Sequence, residues 1–220
     1  MSAELITLIG KVWRVLLSNS RWMSWNLFLA FVPLALSVWL FRQKRWRSGL
    51  WWLGFLVFFA FLPNAPYVLT DVIHLIEDIR TINSVWMITL VVIPVYLLFI
   101  VAGFEAYVLS LINLGYYLSR VGQSKWILWT ELLTHALSAV GIYLGRFLRF
   151  NSWDFITQPD TLATTVVEDL AGKRPLVIIA VTFVVVAGLY WIMKRVSLAI
   201  LLRRGDRYLP TNDEDRLPDG

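Results

Sequence analysis

Three groups of side chains in this sequence have types and spacings suited to chemistry. The first lies in "FLPNAPYVLTDVIHLIED", where an apolar run meets two prolines and then presents Asp71, His74 and Asp78. On a helix these three share one face at i, i+3 and i+7, and Asp71 with His74 is spaced to serve one metal ion or one acid/base task. Zinc takes three or four ligands, so a metal here requires a further donor, with Asp78 or Asp154 best placed. An aspartate in a first helical turn and a histidine at headgroup depth account for the same pair without any reaction.

The second group lies in "GIYLGRFLRFNSWDF". Arg146 and Arg149 fall on one helical face, and paired guanidiniums offer forked donors to phosphate or carboxylate. With Asn64 and Asn151 they form the anion-binding candidates, while Asp154 joins Asp71 and His74 as a catalytic candidate. Snorkelling to the interface, or ion pairs to Asp71, Asp78 or Asp154, explain the same arginines structurally. The third group sits inside apolar segments: Glu105, Glu131 and His135. Glu131 and His135 are i, i+4 neighbours, and Ser138, Ile142 and Gly145 continue their stripe toward Arg146. Ionisable groups in hydrocarbon are costly, face the bundle interior and are functional candidates by default. Glu131 lies close enough to its helix start to reach an interface, and Glu105 has no fixed depth. His135 is the deepest.

The elements that position these groups follow from composition. Of 220 residues, 58% are apolar and 16% charged, and the mean hydropathy is +0.66. That is outside the usual range of soluble domains and makes the chain a multi-pass membrane protein. Twelve of its 33 aromatic residues are Trp, a residue favoured at the water–hydrocarbon boundary. The absence of Cys excludes disulfides, thiolate metal sites and cysteine nucleophiles. A net charge of +5 without a basic soluble domain suits an anionic membrane surface and argues against a nucleic-acid partner. No removable signal peptide is expected.

About 20 helical residues cross the hydrocarbon. Five stretches qualify: 25–41, 49–67, 85 to between 105 and 119, 126–147 and 175–193. The preceding "ELITLIGKVWRVLLS" is amphipathic, and two cations near its middle favour a helix lying in the interface over a sixth span. The fold class is therefore all-α, a polytopic transmembrane bundle of five spans plus an amphipathic N-terminal helix, with six spans as the alternative. Residues 1–203 read as one transmembrane domain and 204–220 as a polar cytoplasmic tail. Placing "RQKRWR" in the cytoplasm puts twelve of the 20 cations there, with the C-terminus. Residues 70–83 and 148–174 then lie outside, and Pro94 kinks the long third span. Pro63 and Pro66 are expected to end the second span, with Asn64 bonding a freed carbonyl. Thr70 would then cap a new amphipathic helix along the outer surface or partly re-entering it.

The motifs N-A-P-Y-x-x-T-D-x-x-H at Asn64–His74 and G-I-Y-L-G-R-F-x-R-x-N-S-W-D at Gly141–Asp154 resemble those of a bacterial multi-pass membrane family. That family is known as a domain of unknown function, number thirteen sixty-one. The resemblance covers nearly the whole chain; it implies an integral membrane fold and no established reaction or cofactor.

Three functions fit. One is a membrane protein of unknown biochemistry, or scaffold, in the bacterial inner membrane, whose outer polar cluster clasps helices. A second is an embedded enzyme acting on a lipid or envelope headgroup. The third is a small-solute or proton-coupled transporter using Glu105, Glu131 and His135. No phosphate loop, zinc-protease motif, nucleophile elbow or transporter-scale repeat is present in the sequence.

Overall fold

The computed structural model describes residues 3–43, 47–148, 160 and 173–206. Five helical stretches among them are long and apolar enough to cross a membrane, and the described residues contain no strand. The chain is an all-α, multi-pass membrane protein.

Helix α1 (Ala3–Ser37) runs on through a π-helical turn, Val38–Arg42. The amphipathic N-terminal stretch is thus continuous with the helix of the first span, Asn19–Arg42, and not a separate element. No Pro or Gly lies between Lys11 and Asn26 to break the helix. After a short loop, α2 (Gly49–Phe61) starts at Ser48, whose hydroxyl accepts from the Trp51 backbone N–H.

Pro63 and Pro66 do not end this span. Leu62 and Pro63 both keep right-handed helical angles, at φ −57°, ψ −38° and φ −62°, ψ −21°. The path continues through α3 (Asn64–Tyr67), a 3-10 turn (Val68–Asp71) and α4 (Val72–Thr81). The local change is a shifted hydrogen bond. The Ala65 N–H reaches Leu62 O at 3.2 Å instead of Phe61 O, and the Asn64 side chain donates to the freed Phe61 carbonyl at 2.9 Å. One side chain replaces the missing ladder bond, so the prolines bend a helix that the expected turn would have ended. Thr70 caps nothing; its hydroxyl donates to Tyr67 O at 2.7 Å.

This bent path lies antiparallel to α1 over its whole length. Trp51 Nε1 donates to Leu40 O near one end, and Asn26 and Asn19 reach Asp71 and Asp78 near the other. The first end, with the residue 43–48 loop, is here called the loop end. Helix α4 turns Asp78 toward the bundle, while Val72, Ile73, Ile76 and Ile79 are exposed. An apolar face turned outward suits lipid surroundings, where the polar groups find their partners inside.

The third span starts at α5 (Val85–Met87), passes through a π turn (Ile88–Val92) and becomes α6 (Ile93–Arg120). Pro94 sits in the first turn of α6, directly after the π turn that accommodates its missing N–H. At the loop end Gly122, at φ 76°, reverses the chain. Gly122 N–H donates to Ser119 O and Gln123 N–H to Leu118 O, a Schellman closure only a positive φ permits. Helices α7 (Ile127–Phe147) and α8 (Lys173–Asp206) complete the bundle. Of the most apolar window of each, 44% is buried in α7 against 11% in α8, so α7 is the more enclosed of the two.

Two close approaches set the packing. A Cβ on Gly141 of α7 would lie 2.8 Å from Pro63 Cβ, and one on Gly103 of α6 would lie 2.8 Å from a Val68 methyl. The backbones of α7 and α6 therefore lie against the bend, as small-residue contacts between membrane helices allow.

Candidate functional site

Helix α7 carries a buried polar stripe. Glu131, Thr134, His135 and Ser138 are all buried, with Ile142 and then Arg146 further along. At 1.5 Å per residue, Glu131 and Arg146 are about 22 Å apart. His135 is about 12 Å from the start of a helix about 31 Å long, close to mid-depth. Two separate polar clusters hang on this stripe.

The deep cluster joins α6, α7 and α8. Tyr107 Oη lies 2.7 Å from His135 Nδ1, and Ser138 Oγ donates to the Tyr107 hydroxyl oxygen at 3.4 Å. With Ser138 donating to Tyr107 and Tyr107 to Nδ1, the neutral imidazole carries its hydrogen on Nε2. That Nε2 is fully buried and has no hydrogen-bond partner among the described residues. Buried polar atoms are almost always satisfied, which singles this one out as the contact for a proton relay partner or a polar guest. The Tyr190 ring stands 4.6 Å from the His135 ring and donates its hydroxyl hydrogen to Glu131 Oε1 at 2.6 Å. Lys194 Nζ completes an ion pair with the same oxygen. Lys194 keeps partial exposure near the loop end, so its charge reaches the interface along its apolar stem. Glu105 stands apart from this group, accepting from Ser197 Oγ at 2.6 Å.

The far-end cluster joins α1, the bent second span, α6 and α7. Asp71 is buried; Asn26 Nδ2 donates to its Oδ2 at 3.0 Å, and Arg146 stands 3.5 Å from its Oδ1. Arg146 also donates to Thr70 O at 2.8 Å, and its guanidinium lies over the Tyr67 ring. Asp78 accepts from Asn19 Nδ2 at 2.6 Å and from Tyr96 Oη at 3.0 Å. Each carboxylate thus fastens together three segments of the bundle.

Several candidates are separated by this geometry. His74 turns away from Asp71: its Nδ1 lies 3.0 Å from Glu77 Oε2, with side chains 41% and 63% exposed, and its ring packs on Trp22. The expected acid/base pair has its two members committed to different partners. Among the described residues no three His, Cys, Asp or Glu side chains group so as to hold a metal ion. Asn64 serves the bend of the backbone. Arg149, Asn151 and Asp154 lie outside the described residues, as does the tail beyond Asp206.

The sequence reading missed Asn19, Asn26, Tyr96, Tyr107, Tyr190 and Lys194 as partners. A signal existed for each. Asn26 is an amide within an apolar span, Tyr190 and Lys194 are i, i+4 on α8, and a buried tyrosine hydroxyl requires a partner.

No curated protein and no solved structure matches this chain. Residues 25–187, which hold every described residue of both clusters except Asn19, Tyr190, Lys194 and the nearby Ser197, match one family, and the chain belongs to it: that described as "Protein of unknown function (DUF1361)".

Proposed function

We propose that this chain is a bacterial inner-membrane protein that takes up and passes a proton through the polar seam of α6, α7 and α8. In this reading the C-terminus is cytoplasmic, residues 1–203 form the membrane domain and 204–220 a cytoplasmic tail. Its surroundings are lipid, with no nucleic-acid partner. The observation that carries the reading is His135, fully buried near mid-depth with Tyr107 on one ring nitrogen and no partner among the described residues on the other. Glu131, Lys194 and Tyr190 connect that depth to the loop end, and Ser138 continues from it toward Arg146. A histidine flanked in this way exchanges tautomers as a proton passes, taking it on one nitrogen and releasing it from the other. A small polar solute able to accept from Nε2–H would be carried by the same groups.

A proteoliposome assay tests this. Purified chain is reconstituted with a pH-sensitive dye inside, and a potassium diffusion potential is imposed. Wild type acidifies the lumen and His135→Gln does not, while both keep the same helical circular dichroism. Equal uptake by wild type, His135→Gln and empty vesicles would refute the proposal.

The far-end clasps favour a second reading, a membrane scaffold, because Asp71, through both oxygens, and Asp78, through Oδ2, each join helices. That same engagement leaves the headgroup-enzyme reading with less support. Orientation is tested by an introduced Ser152→Cys, which is clean because the chain has no native Cys. It labels from the outer side; labelling from the cytoplasmic side alone overturns the topology.

A further inference from the structure

At the loop end, three arginines from distant parts of the sequence converge on two neighbouring tyrosine rings. Arg42, closing the first span, lies 4.4 Å from the Tyr116 ring centroid. Arg120, closing α6, lies 5.9 Å from Tyr116 and 5.8 Å from Tyr117. Arg47, leading into α2, lies 5.7 Å from Tyr117 and 5.9 Å from Trp51. All three are exposed. Three like charges held this close repel one another, and none takes part in the three ion pairs among the described residues. A cluster of cations without a carboxylate partner among the described residues is arranged for an anion from elsewhere.

The hydrogen bonds narrow the kind of anion. Arg42 uses Nε to reach Asn113 Oδ1 at 2.6 Å, and Arg47 uses Nε to reach the Tyr117 hydroxyl at 2.9 Å. Asn113 is itself held by Ser37 Oγ at 2.9 Å, which fixes the first guanidinium. Arg42 and Arg47 are anchored through Nε, all three arginines stand over a ring, and their terminal N–H groups, with no other partner among the described residues, remain for a forked contact with an oxyanion. Leu50, Trp52 and Leu53, on the opening turns of α2, are exposed apolar side chains next to Arg47. Charges that attract phosphate lie beside a surface that attracts acyl chains.

We infer that Arg42, Arg47 and Arg120 form a site for the phosphate of an anionic phospholipid, with Tyr116 and Tyr117 as its floor. The site is independent of the His135 seam and of which side the loop end faces.

The test uses the full chain in neutral detergent micelles, titrated with phosphatidylglycerol and with phosphatidylcholine, bound lipid being counted by native mass spectrometry. Phosphatidylglycerol binds more tightly to wild type, and each arginine removed weakens it about fivefold. The triple variant R42Q/R47Q/R120Q loses the preference. R21Q/R80Q/R195Q, with the same change in net charge but no convergent cluster, keeps it. Arg120→Gln alone covers the case in which the triple variant does not fold, because Arg120 makes no side-chain hydrogen bond recorded among the described residues. Equal binding of the two lipids by wild type overturns the inference, as does equal loss in both triple variants. So does displacement of phosphatidylglycerol by millimolar inorganic phosphate, which would make free phosphate the ligand.

Discussion

Replacing Arg146 by glutamine while leaving Asp71 in place tests the far-end clasp most severely. Asp71 is 1% exposed and Arg146 21%, so the two single substitutions are not equivalent. Arg146→Gln strands a buried carboxylate on Asn26 and costs about 3 kcal/mol, the lower end for breaking a buried ion pair. Asp71→Asn keeps the shape, and Arg146 retains Thr70 O and its exposed edge, so the cost is about 1 kcal/mol. The double substitution removes both charges and costs about 1.5 kcal/mol, well short of the summed single losses of about 4 kcal/mol. For a chain of this length 1 kcal/mol moves the thermal midpoint by about 2–4 °C. Arg146→Gln then melts about 6–12 °C below wild type and the double variant about 3–6 °C below. Melting in detergent, followed by tryptophan fluorescence, reads this directly. If the two single losses add within about 0.5 kcal/mol in the double variant, the direct pair is refuted.

Two further expectations come from the packing. Gly141→Ala places a methyl 2.8 Å from the rigid Pro63 ring and destabilises by about 1–3 kcal/mol, whereas Gly188→Ala meets nothing within 4 Å and is neutral or stabilising; identical melts for the two would refute the close contact of α7 with the bend. His74→Gln removes a half-exposed ring that rests on Trp22 and meets Glu77, and lowers stability by no more than about 1 kcal/mol, so a larger loss would place His74 inside the clasp.

The membrane class, the five spans and the inward stripe of α7 were all legible in the residues. Hydropathy and helical period are properties of a segment by itself, and Glu131, His135 and Ser138 can share a face only one way on a helix. Asn64 was also readable, because its carbonyl partner lies three residues away. The effect of Pro63 and Pro66 was not. A proline weakens a helix locally, but whether the chain turns or bends depends on what lies against it. Here α6 and α7 approach through Gly103 and Gly141, and α1 supports the path from Leu40 to Asn19.

The partners were the other unreadable part. Asp71 was set beside His74 because the two are close in sequence; in the fold it takes Asn26, 45 residues away, which was not foreseen, and Arg146, one of the ion pairs the sequence left open. Tyr190 and Lys194 meet Glu131, and Arg42 and Arg120 meet over the same tyrosine ring, by the same rule. A helix shows from its sequence which face is polar. Its depth and rotation are set by the shapes of its neighbours, and those two quantities decide which polar groups touch.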